Sequence, residues 1–258
     1  MKRSVFSPDA PPSRPRALAG WTRAAILGAV MAVALPAAHA NVTVTFDTLP
    51  VDLVEHNQYW DTHDGFAVGA FSNAAVVYQH DLVGAVVDGA YATQTCLSLQ
   101  CPSRGSQYMS ILNDGVLDIY RTASNDTFTV KSFSAAFLGP SDPTNPATAG
   151  LLRIQGIKAD NTSLTQTWQL PGAGANGYSF NNFTTSGAFA NTQFTEIFVF
   201  GFACNAAGSC SAFTNNKGQF AIDDIVTTAI MPVPEPSSWM MLGAGLLGLA
   251  AYARRRAA

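Results

Sequence analysis

The densest group of side chains that could carry chemistry lies between residues 52 and 64. Carboxylates, imidazoles and two aromatic rings are interleaved there, and one more His-Asp pair follows: Asp52, Glu55, His56, Tyr59, Trp60, Asp61, His63, Asp64, His80 and Asp81. Imidazole beside carboxylate can bind a metal or exchange protons, and exposed rings can stack on sugars. The competing interpretation, which we favour, is a polar surface loop whose histidines face water.

Motifs that would turn these groups into a catalyst are absent from the sequence. It contains neither HExxH nor a nucleophile elbow. A paired-carboxylate glycosidase needs two acids about 5 or about 6.5–9.5 Å apart, which sequence spacing cannot show. We therefore expect no enzyme, and keep a secreted glycan hydrolase built on residues 55–64 as a minor alternative.

A glycine pattern at 172–177 matches the dinucleotide fingerprint by letter only. Gly172, Gly174 and Gly177 have the required spacing, but Pro171 precedes them and the strand-like Tyr-Ser-Phe follows. A pyrophosphate needs the N-terminus of a helix at this point. The pattern therefore predicts a flexible loop.

Short apolar or alternating runs separated by Gly, Pro, Asn, Asp and Ser fill residues 41–231, with no convincing amphipathic helix. Alternation in the first run places Val42, Val44 and Phe46 on one side. Further candidate strands are 74–78, 109–112, 117–121, 128–137, 151–159, 164–170, 196–204 and 219–227. About nine or ten strands in one domain predict an all-β fold, a two-sheet β-sandwich or jelly roll.

The N-terminal segment, residues 1–40, has the features of a signal peptide. Arginines precede an apolar run at 24–35, which ends at Pro36, and Ala38 and Ala40 form an A-x-A cleavage pattern. A permanent membrane anchor would need about 20 apolar residues. We expect signal peptidase to cut after Ala40.

The C-terminal segment, residues 232–258, combines three features in order. Val233, Pro234, Glu235 and Pro236 form a motif whose prolines forbid regular helix, so it should stay extended. An apolar stretch at 239–252 predicts a short transmembrane helix. The closing cluster of Arg254, Arg255 and Arg256 would hold the end in the cytoplasm.

In all three parts this tail resembles the PEP-CTERM sorting signal. The resemblance implies that an exosortase-like enzyme recognises the motif and removes the helix, so the protein is anchored in the inner membrane before processing and then lies at the cell surface or outside the cell. It also implies a Gram-negative producer of polysaccharide matrix, hence a link to biofilm or exopolysaccharide. An ordinary single-span anchor is the alternative.

The four cysteines all lie in the region that would be exported. Cys96 and Cys101 are separated by four residues, and Cys204 and Cys210 by five. Three pairings exist in principle, but an oxidising compartment and close spacing favour two local disulfides. A zinc site is the alternative, although neither pair has the C-x-x-C spacing.

Charge narrows the range of partners. Eight of the fourteen basic residues lie in the terminal segments, and between residues 41 and 232 six basic residues face fifteen acidic ones. Nucleic acid is excluded as a partner because phosphate binding needs clustered Lys and Arg. Divalent cations become plausible, although scattered carboxylates also simply keep an exported domain in solution.

One acidic pattern brackets the domain. Asp47 follows the first apolar run. Asp223 and Asp224 lie near the end of the run Gln-Phe-Ala-Ile-Asp-Asp-Ile at 219–225. This run resembles the last strand of jelly-roll surface modules, including carbohydrate-binding sandwiches and a PEP-CTERM subset with Gln-Phe-x-x-Asp. First and last strands commonly pair in such sandwiches, which would let Asp47 and one of the other two share a Ca²⁺ ion. The alternative is that these residues only face solvent.

These observations predict a non-catalytic exported surface or matrix protein, with the signal peptide at 1–40, the sandwich at 41–231 and the sorting tail at 232–258. A carbohydrate-binding module with structural calcium is the alternative, and it would expose aromatics such as Tyr59, Trp60, Tyr78 or Trp168 on one face or loop rim.

Overall fold

Fourteen strands make up the fold in a computed structural model. The model describes residues 39–62, 64–74, 76–92, 96, 99–123, 126–140 and 147–230, together with 243, 245–247 and 254. In chain order the strands are β1 His39–Val44, β2 Leu53–Glu55, β3 Gln58–Asp61, β4 Phe66–Ser72, β5 Leu82–Asp88, β6 Gln107–Ile111, β7 Gly115–Arg121, β8 Phe128–Phe137, β9 Thr148–Ile157, β10 Ser163–Pro171, β11 Asn181–Thr184, β12 Glu196–Cys204, β13 Cys210–Ser211 and β14 Phe220–Ile230.

The strands form two seven-stranded antiparallel sheets, which confirms the all-β sandwich. The first sheet runs β11-β8-β14-β6-β5-β2, with β1 also pairing to β14. The second runs β10-β9-β12-β7-β4-β3, with β13 on the end of β12. Residues Ala38–Met231 form one compact unit, and the chain's other unit consists of 1–37 and 232–258.

Along one edge, strand β14 pairs with two different strands in succession. Its first residues pair with β6, and from Ile225 onward it pairs with β1 instead. The first and last strands therefore pair, as the sequence predicted. The ladder to β8 shifts register between Asp223 and Val226, and Asp224 has a positive φ of 49°.

The core between the sheets comes from alternating strand residues. The strand residues Phe66, Phe128 and Phe220 are each 0% exposed, and Phe46 after β1 and Phe194 before β12 add equally buried rings. Each sheet therefore has an inner face against the other sheet and an outer face, and the side-chain alternation of strands decides which residues lie on which.

The outer face of the first sheet is also buried. Ala85, Tyr108, Ala136 and Ala221 form a second apolar cluster there, against which Cys96, Cys101 and Phe180 pack. The segment after β5 and the approach to β11 thus cover this face. The second sheet differs, as described below.

One predicted strand is wrong, and the predicted C-terminal helix lies largely outside the described residues. Residues 74–78 were expected to form a strand, but the described part of that segment is a loop in which Val76 and Tyr78 are 66% and 70% exposed, so no layer buries its apolar side chains. The short apolar strands β4 and β5, which flank that loop, were missed. Among the described residues no helix is long and apolar enough to cross a bilayer, so the predicted C-terminal span is not confirmed; 243, 245–247 and 254 are helical.

Candidate functional site

Among the described residues, the polar side chains between 52 and 64 do not converge into a site. His80 Nδ1 lies 2.7 Å from Glu55 Oε2, but both side chains are largely exposed. His56 Nδ1 accepts a hydrogen bond from the backbone N–H of Ser72 at 2.9 Å. Asp61 is exposed at the end of β3, and His63 lies outside the described residues. Exposed ion pairs contribute little, so this region behaves as a solvated surface.

The predicted stacking aromatics divide into two kinds. Trp60 packs against the core cluster, and Trp168 packs on Phe133 with ring centroids 4.9 Å apart while its indole N–H donates to Thr184 O. These two tryptophans therefore help to close the sandwich. Tyr59 and Tyr78 are exposed, but only Tyr59 lies on a sheet.

The predicted calcium ligands have other partners. Asp223 is fully buried on the outer side of the first sheet, where Arg104 Nε and Ser106 Oγ each lie 2.9 Å from its Oδ2. The same guanidinium contacts Asp224 Oδ2. Asp47 Oδ1 accepts from the backbone N–H of Gln107 at 2.9 Å. Among the described residues no group of three or more His, Cys, Asp and Glu is placed to hold a metal.

These contacts give Asp223 and Asp224 a structural role. Arg104 bridges them from the segment that covers the first sheet, and its guanidinium lies 4.8 Å from the centroid of the Phe180 ring. Burial raises the pKa of Asp223 to about 6. The arrangement anchors the covering segment on β14 with a cation that the chain itself supplies.

Both predicted local disulfides, Cys96–Cys101 and Cys204–Cys210, are present. The first lies in the covering segment, and the second joins β12 to β13. Zinc ligation by these cysteines is therefore ruled out.

The outer face of the second sheet carries a group of aromatic rings. Strand β12 alternates Ile197 and Val199, which are buried in the core, with Phe198, Phe200 and Phe202, which lie half-buried on the outer face. The sequence predicts a sandwich strand at 196–204, but this prediction does not include the outward position of the three rings. The detectable signal was that 197–202 is apolar at every position, whereas a strand with one solvated face normally alternates.

Two further rings complete this group, which we call the aromatic face. Phe71 of β4 meets Phe198 edge to face with centroids 5.8 Å apart, and Phe213 lies over Phe200 at 5.2 Å. Phe71, Phe198, Phe200 and Phe213 enclose an open cavity of about 170 Å³. Val116 and the amide side chains of Asn73 and Gln155 line the remainder of it.

An acidic side chain continues the aromatic face. Asp118 of β7 pairs with Phe198 on one side and with Gly69 on the other. The hydroxyl of Tyr59 donates to Asp118 Oδ2 at 2.9 Å, and the Tyr59 ring lies where a Cβ on residue 69 would sit. Glycine at 69 is therefore needed for Tyr59 to reach Asp118.

The Asp118 carboxyl is in an unusual environment. The residue is 4% exposed, and its Oδ1 is buried with no donor facing it, although the Glu196 carboxyl is near enough to hydrogen-bond to Asp118 when one of the two acids is protonated. Burial, followed by the charge of Glu196, raises the pKa of Asp118 to about 7. Burial and the Asp118 charge likewise raise the pKa of Tyr59. Near neutral pH this carboxyl can therefore donate or accept a hydrogen bond.

A rigid loop holds Phe213 in place. Its φ of +57° is uncommon for a bulky residue, and its side chain is 37% exposed. The carboxylate of Asp114 accepts from the backbone N–H groups of Asn215, Asn216 and Gly218 at 3.3, 2.7 and 2.6 Å. The Cys204–Cys210 disulfide ties the other end of the same loop.

The predicted terminal sites fall largely outside the described residues. This holds for Ala38, for Val233, Pro234, Glu235 and Pro236, and for Arg255 and Arg256. Ala40 lies in β1 opposite Ala229, and Arg254 is helical. Cleavage after Ala40 remains a prediction, and it would leave the ladder from Asn41 to Val44 intact.

The solved structures that match this chain over most of its length do so with low sequence identity and low TM-scores. A family 29 carbohydrate-binding module is 9% identical over 75% of this chain and 90% of its own, with a TM-score of 0.35. The CBM22-1 xylan-binding domain from Paenibacillus barcinonensis Xyn10C is 10% identical over 77% and 100%, with a TM-score of 0.32. TmCBM61 in complex with β-1,4-galactotriose is 7% identical over 73% and 94%, with a TM-score of 0.29. No residue's role is transferred from them.

No curated protein has a significant match to this sequence. The family model of the PEP-CTERM protein-sorting motif matches residues 232–256. The match covers the proline motif, the apolar stretch and the arginines in their expected order. The tail thus identifies the chain as a PEP-CTERM domain-containing protein.

Proposed function

We propose that this chain is a non-catalytic cell-surface or extracellular-matrix protein that an exosortase-like enzyme sorts and that contacts exopolysaccharide. The observation that carries the proposal is the sorting motif at 232–256, which begins two residues after the last strand ends at Ile230. A folded cargo followed at once by a removable tail suits delivery across a membrane.

The tail has the physical properties that such processing requires. Prolines at 234 and 236 keep the motif out of regular secondary structure, so a membrane enzyme can bind it in extended form. The apolar stretch and the three arginines would hold it at the inner membrane until cleavage. Signal peptidase would act first, at Ala40.

The sandwich supports a binding or structural role over catalysis. Its predicted polar cluster resolves into the exposed Glu55–His80 pair and a histidine bound to backbone. Asp223, the most deeply buried of the predicted acids, is held by Arg104 and Ser106. A glycan hydrolase built on residues 55–64 therefore has no convergent acid pair among the described residues.

A carbohydrate-binding module is the second candidate function. The aromatic face favours it, because partly exposed rings beside amide and carboxyl groups are the chemistry that sugars need. In this candidate a structural calcium ion at Asp223 and Asp224 would have to displace the guanidinium of Arg104, which contacts both carboxylates.

Mass spectrometry of the native product, in cells with and without the sorting enzyme, tests the sorting proposal. We expect the mature protein to begin at Asn41 and to lack the residues after the motif only when the enzyme is present. Replacing Pro234, Glu235 and Pro236 by alanine should block processing, whereas the matched change of Ser237 and Ser238 to alanine should not. An unprocessed C-terminus at Ala258 in enzyme-containing cells would refute the proposal.

A further inference from the structure

We propose that the aromatic face of the second sheet is the binding surface for a neutral polysaccharide chain. This inference deepens the polysaccharide contact of the proposed function and rests on it. It assigns the contact to Phe71, Phe198, Phe200 and Phe213, with Asn73 and Gln155 as hydrogen-bonding partners.

The outer faces of the two sheets differ in how far the chain itself covers them. On the first sheet the outer apolar residues Ala85, Tyr108 and Ala221 are at most 7% exposed, because the chain's own covering segment packs on them. On the second sheet the rings of β4 and β12 stay half-buried, and Phe213 is 37% exposed. Exposed aromatic clusters on a soluble domain usually mark a binding surface.

The loop that carries Phe213 is held in place by a disulfide and by hydrogen bonds to Asp114. Phe213 adopts a backbone conformation that costs free energy for a bulky side chain, and such strain persists where its surroundings impose it. Here the disulfide of Cys204 with Cys210 and the three N–H bonds to Asp114 impose it. A fixed ring loses little entropy on binding.

The cavity among these rings has the size and the chemical groups that a single sugar ring requires. Its volume of about 170 Å³ is below the roughly 300–1,000 Å³ of sites that enclose a drug-sized ligand. It suits one sugar ring of a longer chain lying across the open sheet. Aromatic faces are electron-rich and attract the C–H face of a sugar, while amide groups both donate and accept hydrogen bonds to hydroxyls.

An acid and a tyrosine border the aromatic face beside Phe198. Asp118 pairs with Phe198 on the neighbouring strand, and its carboxyl is buried beneath the surface. Tyr59, whose hydroxyl donates to Asp118 Oδ2, extends the surface with an exposed ring.

Charge favours a neutral polymer over an acidic one. Asp118, Glu196 and Asp61 occupy one end of the outer face, while Arg153 pairs with Phe200 and has its guanidinium over the Phe202 ring at 4.8 Å and hydrogen-bonded to Thr167 Oγ1 at 2.9 Å. The exported region as a whole has nine more acidic than basic residues. A polymer of uronic acids would be repelled.

Affinity electrophoresis and calorimetry test the inference on the full chain, produced by export so that both disulfides form and purified in mild detergent. The probes are soluble neutral glucan, mannan, xylan and galactan, with alginate and polygalacturonate as acidic polymers. We expect retardation by at least one neutral polymer and none by the acidic ones.

Three variants and one control locate the surface. Phe198→Ala and Phe213→Ala should each weaken binding at least about tenfold, as is usual when an aromatic anchor at a binding surface is truncated, and Gln155→Ala should weaken it less. Tyr91→Ala, which removes a ring 58% exposed beside the first sheet, should leave affinity unchanged. Circular dichroism confirms folding, and the more exposed Phe213 keeps the test valid if Phe198→Ala unfolds.

Several outcomes would overturn the inference. These are failure to bind any neutral polymer, equal binding to acidic polymers, or affinity unchanged in both phenylalanine variants. A wild-type dimer in sedimentation that Phe213→Ala converts to monomer would instead assign the face to a second copy. None of these outcomes alters the terminal masses that test sorting, so the two proposals fail separately.

Discussion

Two buried carboxyls show how differently the fold treats single acidic residues. Asp223 is surrounded by a guanidinium, a serine hydroxyl and the carboxylate of Asp224, while Asp118 has one tyrosine hydroxyl and lies near a second acid. Burial raises the pKa of both. Of the two, Asp118 has no cation beside it to stabilise its ionised form, so its ionisation destabilises the fold.

Stability should therefore depend on pH through Asp118. Its folded-state pKa of about 7 lies above the unfolded value of 3.8, so the folded protein binds this proton more tightly. Its contribution to the unfolding free energy is full below pH 4 and is lost as pH rises through 7. We expect Asp118→Asn to flatten this decline and to stabilise the protein by about 1–2 kcal/mol at pH 8.

Urea unfolding of the disulfide-intact protein at pH 5 and pH 8 measures this effect. Asp160→Asn is the matched control, because Asp160 is exposed on a turn and hydrogen bonds to Thr162 lower its pKa. If Asp118→Asn is as sensitive to pH over this range as the wild type, the assigned environment is wrong.

Replacing Arg104 should lower the free energy of unfolding strongly, although this residue lies near the surface. Its loss leaves the buried Asp223 without its cation, and breaking a buried pair from one side costs about 3–5 kcal/mol. Because Arg104 is 20% exposed, we expect Arg104→Gln to destabilise by about 2–4 kcal/mol. In an Asp223→Asn background the cost should fall by at least about 1 kcal/mol, and an unchanged cost would contradict the anchoring role.

At the scale of elements, the loop after β13 depends on one side chain. Asp114, at the turn before β7, satisfies three backbone N–H groups of the loop that carries Phe213. The carboxylate that accepts these hydrogen bonds lies about a hundred residues earlier in the chain than the loop. The loop therefore takes its shape from tertiary contact, with the local disulfide fixing one end.

Replacing Asp114 by alanine should release this loop. Three buried or part-buried donors would lose their acceptor, at a cost of about 1–3 kcal/mol. Amide hydrogen exchange should accelerate at Asn216 and Gly218, while exchange in β8 should stay slow. Asp52→Ala, which removes only an exposed contact to the next residue, serves as the control. Unchanged protection at Gly218 would refute the assignment.

At the scale of the whole molecule, the two ends of the folded region complete the first sheet together. Strand β1 pairs with the second half of β14, and Val44 and Phe46 are fully buried. The expected cleavage after Ala40 removes two ladder positions and neither of these side chains. Export processing and folding are therefore compatible.

Truncations from the N-terminus test this arrangement by thermal unfolding. A protein beginning at Asn41 should unfold within about 1 kcal/mol of one beginning at His39. Deletion through Asp47 should remove several kcal/mol, since burying Val44 and Phe46 contributes about 1.5–3 kcal/mol each. A folded, equally stable protein beginning at Thr48 would show that β1 is dispensable.

The sequence by itself determined the features that depend on local pattern. Apolar or alternating runs bounded by turn residues predicted strands at 128–137 and 196–204, where β8 and β12 are found. Close spacing predicted both disulfides, and the tail's motif, apolar stretch and arginines identified the sorting signal. These are properties of a few neighbouring residues, so no other part of the chain is needed to recognise them.

Tertiary structure alone decided which surfaces are covered and which acids are bound. Period-two alternation gives each strand two faces but does not say which face a distant segment will cover. Arg104 reaches Asp223 across more than a hundred residues, so one of the predicted calcium ligands has a partner from the chain itself, and the Tyr59 hydroxyl reaches Asp118 from a distant strand. The apolar run of β12 was visible in the sequence, yet only sheet pairing with β7 and β9 placed its outer rings beside Phe71, Gln155 and Asp118. Long-range pairing sets these neighbours, and no local spacing encodes it.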